Sequence, residues 1–249
     1  MVGVAVSAVI WAQAAPVPAR AQFRAGVQLV HVPVVVTDRA GRVVSALTKD
    51  DFEILEDGQP RSVAYFAEGG GDLGGEALPL HLGLLLDASA SMAQDLRAAS
   101  NAAVRFVTQM DELSDVTFVD FDSGIRLSRF VPASYPMLFE RIRDRQAGGG
   151  TSLYDALHRY VDSTLSRPGQ HIVLMHTDGG DSTSSRTMGD LQRLLRRANV
   201  VVYVVGYLTN QSSDVRMTQQ MRVTQIARET GGEAYFPSAP SEIDAIYEK

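Results

Sequence analysis

The chain has 249 residues, enough for one large domain or two small ones, and its 23 Lys and Arg against 29 Asp and Glu give a net charge of −6. With 45% hydrophobic residues, 21% charged residues and no cysteine, the composition excludes global disorder, collagen-like repeats, a disulfide-stapled scaffold and any thiolate metal site. The acidic balance argues against non-specific nucleic-acid binding, which usually needs a basic stripe.

An apolar segment at the start of the chain predicts export. Residues 2–15 read VGVAVSAVIWAQAA, which has the length of the apolar region of a secretory signal peptide. The run is shorter than the roughly 20 apolar residues of a membrane-spanning helix, and no other segment approaches that length. We therefore predict a signal peptide over residues 1–22 and a periplasmic, surface-associated or secreted protein. Because no basic residue precedes the run, a disordered apolar tail or a short amphiphilic anchor is the alternative.

Short runs of β-forming residues predict a small β-sandwich-like module over residues 23–68. Asp57-Gly58 is a strong turn dipeptide between its last two strands. A module of this size buries little core of its own, so we expect it to pack on the larger, C-terminal part of the chain. The five glycines of residues 69–79 predict a linker. The strands are predicted at residues 27–36, 52–55 and 62–66.

From residue 80 onward, buried strands alternate with amphipathic helices. This alternation is typical of an α/β fold with a doubly wound, mostly parallel sheet flanked by helices, and we assign residues 80–249 to one such domain. The turn at residues 122–124 predicts a hairpin. The predicted strands are residues 80–86, 116–121, 125–131, 172–175, 200–205 and 233–236, and the predicted helices are residues 92–110, 136–145, 153–165, 188–198, 223–230 and a last one from 241.

Three loops at the predicted carboxyl edge of this sheet carry oxygen-bearing side chains. Two of them follow buried strands directly, and the third precedes a helix. Ligands of such sheets bind beyond the carboxyl ends of the strands. The two carboxylates and three hydroxyls form a set of hard ligands suited to Mg²⁺, with Mn²⁺ or Ca²⁺ as alternatives. These candidate metal ligands are Asp87, Ser89, Ser91, Thr151 and Asp178.

The spacing of these residues has a physical interpretation. Asp-x-Ser-x-Ser in an extended backbone directs alternate side chains to one side. If the carboxylates lie one shell further out, neutral hydroxyls leave the cation electrophilic, with an open position for an acidic partner. Glycines 148–150 let the Thr151 loop approach the ion closely and move. Taken singly, each hydroxyl residue is also a helix-cap candidate, and Asp178-Gly179 is also a turn candidate.

The three loops resemble those of a von Willebrand factor type A domain, and their pattern is similar to its metal-ion-dependent adhesion site. The matching segments are LLLDASASM, GGGTSLYDAL and LMHTDGGDS, and all five expected positions are filled. The resemblance covers residues 80–249 and implies the Rossmann-like fold of that family. It also implies that Ser89, Ser91 and Thr151 can coordinate the metal directly. The two carboxylates would bind directly or through water, and a partner's acidic side chain would take the open position.

The preceding segment resembles a module found before this domain in a bacterial subgroup abundant in acidobacteria. The matching residues read VPVVVTDRAGRVVSALTKDDFEILEDGQPRSVAYF. Proteins of that subgroup usually continue past the last helix, whereas this chain stops at Lys249 within it. We therefore expect the last helix to be truncated.

Other polar residues of the domain receive separate interpretations. Asp155 is either a residue that orients the loop, or that accepts a hydrogen bond from a group next to the metal ligands, or a solvated helix carboxylate. Asp122 is expected to make a turn, and Asp181 to be a plain loop residue. His171 and His176 are expected to be core or surface histidines.

These observations predict a non-catalytic, metal-dependent module that binds an acidic residue of a protein partner. The second hypothesis is a hydrolase, because Gly150-Thr151-Ser152 resembles the nucleophile loop of subtilisin-like proteases. That family orders its triad Asp, His, Ser, and no histidine lies between Asp87 and Ser152. The third hypothesis is a structural module with an idle metal site, which binds through the β unit.

Overall fold

The computed structural model describes residues 34, 36, 38, 39, 44–63, 66, 78–239 and 241–247. The chain divides into two units, Met1–His31 and Val32–Lys249, and the described residues all belong to the second. The predicted signal peptide lies outside the described residues, and so do most of the strand predicted at 27–36 and most of the linker. No helix of the described part is both long and apolar enough to cross a membrane.

A two-stranded hairpin lies before the large sheet. Its strands β1 (Ile54–Glu56) and β2 (Gln59–Arg61) pair antiparallel. Asp57 and Gly58 adopt φ values of 51° and 76°, and such positive values favour a two-residue turn. The predicted turn is thereby confirmed. The strand predicted at 62–66 is wrong, because so tight a turn starts the return strand at once and the described residues of that range lie outside it.

The large sheet confirms the predicted fold class. Among the described residues its strands are β3 (Leu80–Asp87), β4 (Leu113–Phe121), β5 (Ile125–Phe130), β6 (Gln170–Thr177), β7 (Val201–Gly206) and β8 (Ala234–Tyr235). Their spatial order is β5-β4-β3-β6-β7-β8. The pairings of β3 with β4 and β6, of β6 with β7 and of β7 with β8 are parallel, and β5 is antiparallel to β4 through the predicted hairpin.

Helices cover both faces of this sheet. They are α1 (Leu96–Gln109), α2 (Tyr135–Arg143), α3 (Leu153–Thr164), α4 (Met188–Leu195), α5 (Ser213–Arg228) and α6 (Ser241–Tyr247), with short 3-10 helices at Lys49–Asp51, Ala90–Met92 and Pro132–Ser134. One core cluster contains residues of α1, α2 and α6, and the other contains residues of α3, α4 and α5. Along β3, Leu84 and Leu86 join the first cluster and Leu85 the second, as expected for a strand buried on both faces.

Two helices start several residues away from their predicted starts. Helix α1 begins at Leu96 rather than at 92, because Ala90–Met92 forms a 3-10 helix first. Helix α5 begins at Ser213, ten residues before the predicted start at 223. Its first half lacks a one-sided apolar pattern, since Met217 and Met221 are exposed. The apolar periodicity therefore marked only the second half of this helix.

Candidate metal centre

The topology brings the two predicted carboxylates to one place. From β3 the chain continues to β4 and β5 on one side, and later returns to β6 on the other. The switch point of the sheet therefore lies between β3 and β6, and this is where open α/β sheets bind ligands. Asp87 is the last residue of β3, and Asp178 directly follows β6.

The first loop holds its side chains through short local contacts. Asp87 Oδ1 accepts a hydrogen bond from the Ser89 amide (2.9 Å), and Asp87 Oδ2 accepts one from the Thr177 hydroxyl (2.6 Å). Ser89 Oγ lies 3.1 Å from Ser91 Oγ, within hydrogen-bond distance. Ser89 stands at the cap position of the 3-10 helix, but its side chain makes no capping hydrogen bond. The local geometry thus supports a paired hydroxyl site over the helix-cap interpretation of Ser89.

The electrostatics of this loop are unfavourable for an isolated carboxylate. Asp87 is fully buried and Asp178 is 1% exposed. Burial raises the pKa of Asp87 to about 6, although hydrogen bonds from Ser89 and Thr177 lower it, and the charge of Asp178 raises it further. Within the described part of the chain, neither carboxylate forms an ion pair with a cationic side chain. Buried charges are normally paired or bound to a metal.

The second loop is fastened to the first by backbone hydrogen bonds. The Gly148 amide donates to the Ala88 carbonyl (2.9 Å), and the Ala90 amide donates to the Gly149 carbonyl (3.1 Å). Gly149 adopts a φ of 72°, which side chains other than glycine rarely tolerate. The glycines therefore allow the second loop to pack closely on the first, and they bring Thr151 to the edge where Asp87 lies.

Thr151 is buried and connects the second loop to the third. Its carbonyl accepts hydrogen bonds from the amides of Ser182 (2.8 Å) and Thr183 (3.0 Å). Helix α3 begins at Leu153 with Ser152 at the cap position, so Thr151 is not its cap. No hydrogen bond among the described residues involves the Thr151 hydroxyl, which leaves this oxygen available to a ligand.

The third loop turns at glycines and keeps Asp178 beside Thr151. Asp178 Oδ1 accepts a hydrogen bond from the Gly180 amide (2.8 Å), and Asp178 Oδ2 accepts one from Gln211 Nε2 (3.0 Å). A Cβ atom built on Gly180 would lie 3.0 Å from Asp178 Oδ1 and 3.7 Å from Thr151 Oγ1. The segment after Asp178 is thus a turn, as the alternative interpretation of Asp178-Gly179 predicted. The space beside Gly180, bordered by Asp178 and Thr151, forms a small polar cradle that stays open because glycine has no side chain.

Asp155 orients the third loop, as one of its two interpretations predicted. Its carboxylate accepts hydrogen bonds from the Ser185 amide and hydroxyl (2.8 and 2.9 Å) and from the Arg186 amide (3.1 Å). Partial burial raises the pKa of Asp155, but these hydrogen bonds outweigh it and hold the pKa below its ordinary value.

The remaining polar residues have structural roles. Asp122 makes the predicted turn by accepting a hydrogen bond from the Gly124 amide (2.7 Å). Asp181 is more than a plain loop residue, because its carboxylate accepts a hydrogen bond from the Tyr154 amide in the first turn of α3 (3.2 Å). Of the two predicted environments, core or surface, His171 and His176 both lie in the core, and burial lowers the pKa of His176 to about 3.

Sequence reasoning missed two residues that contact the candidate carboxylates, Thr177 and Gln211. Thr177 ends a strand directly before Asp178, so the sequence pattern indicates its place at the sheet edge. Its hydrogen bond to Asp87 joins two different strands, and local sequence carries no signal for such a contact. Gln211 lies 33 residues after Asp178 in the loop between β7 and α5, and no sequence signal joins the two.

The side chains at this edge fit a hard divalent cation. No group of three or more His, Cys, Asp or Glu that is able to hold a metal occurs among the described residues, so a cation here would depend on hydroxyl oxygens. Two buried carboxylates, which have no cationic partner among the residues that the structure describes, supply negative charge, and the Thr151 hydroxyl borders the same cradle as Asp178. Oxygen ligands of this kind suit Mg²⁺, Mn²⁺ or Ca²⁺. Their role as metal ligands stays a prediction.

Comparison with known proteins identifies the fold. A von Willebrand factor type A protein from Catenulispora acidiphila is similar, with 19% identity and a TM-score of 0.56 over 69% of this chain and 41% of that one. The PilB minor pilin from Streptococcus sanguinis is similar with 13% identity and a TM-score of 0.55, over 71% of this chain and 61% of that one. The von Willebrand factor domain of the type V pili tip protein Mfa5 from Porphyromonas gingivalis is similar with 11% identity and a TM-score of 0.53, over 69% of this chain and 94% of that one. The match therefore spans less than two thirds of the first two proteins. No curated protein matches the chain.

The sequence match to a family agrees with this fold. The family model of the von Willebrand factor type A domain matches residues 81–249, which is more than half of the chain. The matched range begins one residue after the predicted domain start and contains all of the loops described above. The chain therefore belongs to the von Willebrand factor type A family.

Proposed function

We propose that this protein is a non-catalytic binding module that holds a protein partner through a divalent cation at the switch point of its sheet. Domains of this family commonly take part in adhesion or protein interaction. One observation carries the proposal: Asp87 and Asp178 are buried at adjacent strand ends beside hydroxyl oxygens, and no cationic side chain of the described residues pairs with them. A cation would balance this charge.

The donor set explains why a partner is needed. Ser89, Ser91 and Thr151 would hold the cation through neutral oxygens, and Asp87 and Asp178 would offset its charge from one shell further out. All four carboxylate oxygens already accept hydrogen bonds from neutral donors, which favours binding through water over close contact. With only neutral oxygens in direct contact, a bound Mg²⁺ would keep an electrophilic open position that an acidic side chain of the partner can fill.

A hydrolase is supported less well, because no described histidine forms a hydrogen bond with the candidate nucleophile Ser152, whose hydroxyl contacts the Ser123 carbonyl and the Thr183 hydroxyl. His176, near the carboxyl end of β6, has its Nδ1 3.0 Å from the Tyr207 hydroxyl instead. His81 and His171 lie near the starts of β3 and β6, at the opposite edge of the sheet. His158 lies on α3, where its Nδ1 is 3.0 Å from Asp162 Oδ2. Nucleophilic catalysis needs a base within hydrogen-bond reach of the nucleophile.

An exported location agrees with this function. The apolar N-terminal segment predicts a signal peptide. Two of the similar structures are a minor pilin and a domain of a pilus tip protein. Their sequence identity to this chain is low, so the likeness shows a shared fold and not a shared location. We propose that the protein acts in the periplasm, at the cell surface or outside the cell, where an adhesive module meets its partners.

The proposal is tested first by calorimetric titration of Mg²⁺ and Mn²⁺ into the full chain. We expect one cation to bind the parent, none to bind Asp87→Ala or Asp178→Ala, and weaker binding in Ser89→Ala and Thr151→Ala. Asp162→Ala is the matched control, because its carboxylate is half exposed on α3. Unchanged Mg²⁺ affinity in Asp87→Ala would overturn the site.

Partner binding needs a second experiment. We would apply the protein to an array of peptides with and without Asp or Glu, in Mg²⁺ and in EDTA. Retention on acidic peptides in Mg²⁺ that EDTA and Asp87→Ala both abolish is the expected result. Retention that survives both treatments would favour the structural module with an idle site.

A further inference from the structure

Helix α5 exposes two methionines on the side that faces away from the core. Met217 and Met221 are each 66% exposed. With about 3.6 residues per turn, they lie on the side of the helix roughly opposite to its buried residues. Those buried residues are Gln219, Val223, Ile226 and Ala227. The packing of α5 within the described chain therefore does not explain these apolar side chains, and a contiguous exposed apolar surface often marks an interaction site.

The two methionines are the centre of a longer stripe, which we call the α5 stripe. Its residues follow one another at steps of three, four, three and four, the spacing that keeps side chains on one face along a contact between two helices. They are Asp214, Met217, Met221, Thr224 and Arg228. Asp214 and Arg228 are exposed, and neither forms an ion pair with another described residue. The stripe thus has an acidic end, an apolar middle and a basic end.

This order of charges makes the α5 stripe complementary to itself. Asp214 and Arg228 each lie seven residues from Met221. If two copies of α5 pack antiparallel with their Met221 side chains at the centre, the acidic end of each copy lies opposite the basic end of the other. A parallel pair would bring like charges together at both ends. An antiparallel pair also uses the same patch on both copies, so it closes as a two-fold dimer.

We propose that the α5 stripe is a dimer interface that binds a second copy of this chain. Met217 and Met221 pack against the same helix of the second copy, and Asp214 pairs with Arg228 of the partner subunit. Methionine side chains adapt well to such a surface. Because α5 has only 16 residues, this contact buries less than the roughly 800 Å² per partner of a standard stable interface. We therefore expect a weak dimer, with a dissociation constant of about 10–100 μM.

The dimer would present two candidate metal centres. Helix α5 begins beside the centre, because Gln211 in the loop before it contacts Asp178. Antiparallel packing of α5 places the two centres at opposite ends of the helix pair, so that one dimer would bridge two partner molecules. This role rests on the function proposed above, whereas the dimer itself needs no cation.

Sedimentation equilibrium of the full chain in EDTA tests the interface separately from the metal centre. Between about 5 and 500 μM, we expect the average mass of the parent to rise from monomer towards dimer. Met221→Lys should stay monomeric, because two ammonium groups would meet at the two-fold axis. Met137→Lys is the matched control: Met137 is 65% exposed on α2, so this variant should dimerise as the parent does. A parent that is monomeric throughout, or a Met221→Lys variant that dimerises like the parent, would overturn the interface.

Charge reversal tests the antiparallel pairing by a second route. Asp214→Arg and Arg228→Asp each place like charges opposite one another, so each should weaken dimerisation about three- to tenfold at low salt. The chain that carries both substitutions has opposite charges at both ends again and should dimerise nearly as the parent does. Both positions are exposed, so the fold should be retained, which circular dichroism checks. A double variant that dimerises no better than the single variants would show that these two residues do not pair.

Discussion

At the scale of single residues, buried carboxylates on the large sheet fall into two classes. Asp120, near the end of β4, is fully buried and forms ion pairs with Arg126, Arg141 and Arg145. Asp87, at the end of the neighbouring strand, is as deeply buried but accepts hydrogen bonds from neutral groups alone. Among the described residues, arginines balance the charge of Asp120 and no cationic side chain balances that of Asp87, which is the physical distinction between a structural carboxylate and a candidate ligand.

Thr177 supplies one of these neutral hydrogen bonds, and its removal should be costly. Its hydroxyl donates to Asp87 Oδ2 (2.6 Å) and accepts from the Gly179 amide (2.9 Å), and the residue is fully buried. We expect Thr177→Val to lower the free energy of unfolding by about 1–3 kcal/mol, because two buried polar groups lose a partner. Urea denaturation measures the change. Thr177→Ser keeps the hydroxyl and should retain most of the stability, and a Val variant as stable as the parent would disprove this role.

At the scale of elements, the centre is a set of loops that hydrogen bonds join to one another. The second loop bonds to the first through Gly148 and Gly149, and the third bonds to the second through the Thr151 carbonyl. Asp155 of α3 adds hydrogen bonds to the outer part of the third loop. Loss of one of these inter-loop contacts should therefore make a loop more mobile without unfolding the domain.

Asp155→Ala directly tests the contact between α3 and the third loop. Without the carboxylate, the Ser185 and Arg186 amides lose their acceptor, and we expect their hydrogen exchange to accelerate by about tenfold or more. Exchange measured amide by amide checks this. Asp162→Ala removes a carboxylate from the same helix and should leave both amides protected. Equal protection of the two amides in Asp155→Ala and the parent would contradict the assigned role.

The element scale also shows what sequence can and cannot supply. Strand burial, the order of strands and helices, and the loop residues Asp87, Thr151 and Asp178 follow from local pattern and from the rule that strand ends meet at one edge. Gln211 does not, because its contact with Asp178 joins residues far apart in sequence. The first half of α5 was missed for a related reason: its exposed methionines and its inward Gln219 reverse the expected polarity.

At the scale of the whole molecule, the two edges of the sheet have different electrostatics. The edge opposite the candidate centre holds a compensated cluster in which His81 Nδ1 lies 3.1 Å from Asp115 Oδ2 and Arg167 also contacts that carboxylate. The His171 ring stacks on His81 with centroids 4.8 Å apart. Burial lowers the pKa of His171, as do the charges of His81 and Arg167, whereas its hydrogen bond to the Arg167 carbonyl and the charge of Asp115 raise it.

This cluster predicts a loss of stability in acid. The pKa of His171 is lower in the folded than in the unfolded chain, so the unfolded chain binds the proton more readily as pH falls through 6.5. Between pH 7.5 and 5.5 the parent should lose more stability than His171→Gln, by no more than about 1.4 kcal/mol per pH unit for one proton. Urea denaturation in EDTA at both pH values measures the difference. Equal losses of unfolding free energy in the parent and in His171→Gln would show that the protonation of His171 does not change on unfolding.

The central claim is that the three loops hold one divalent cation between Asp87, Thr151 and Asp178. Anomalous diffraction from crystals of the full chain grown with Mn²⁺ tests this claim most directly. Mn²⁺ prefers the same oxygen ligands as Mg²⁺, and its anomalous signal locates the ion independently of which residues surround it. We predict one anomalous peak within coordination distance of the loop hydroxyls, absent from crystals of Asp87→Ala grown in the same way. A well-ordered site without a peak, or a peak that persists in the variant, would contradict the claim.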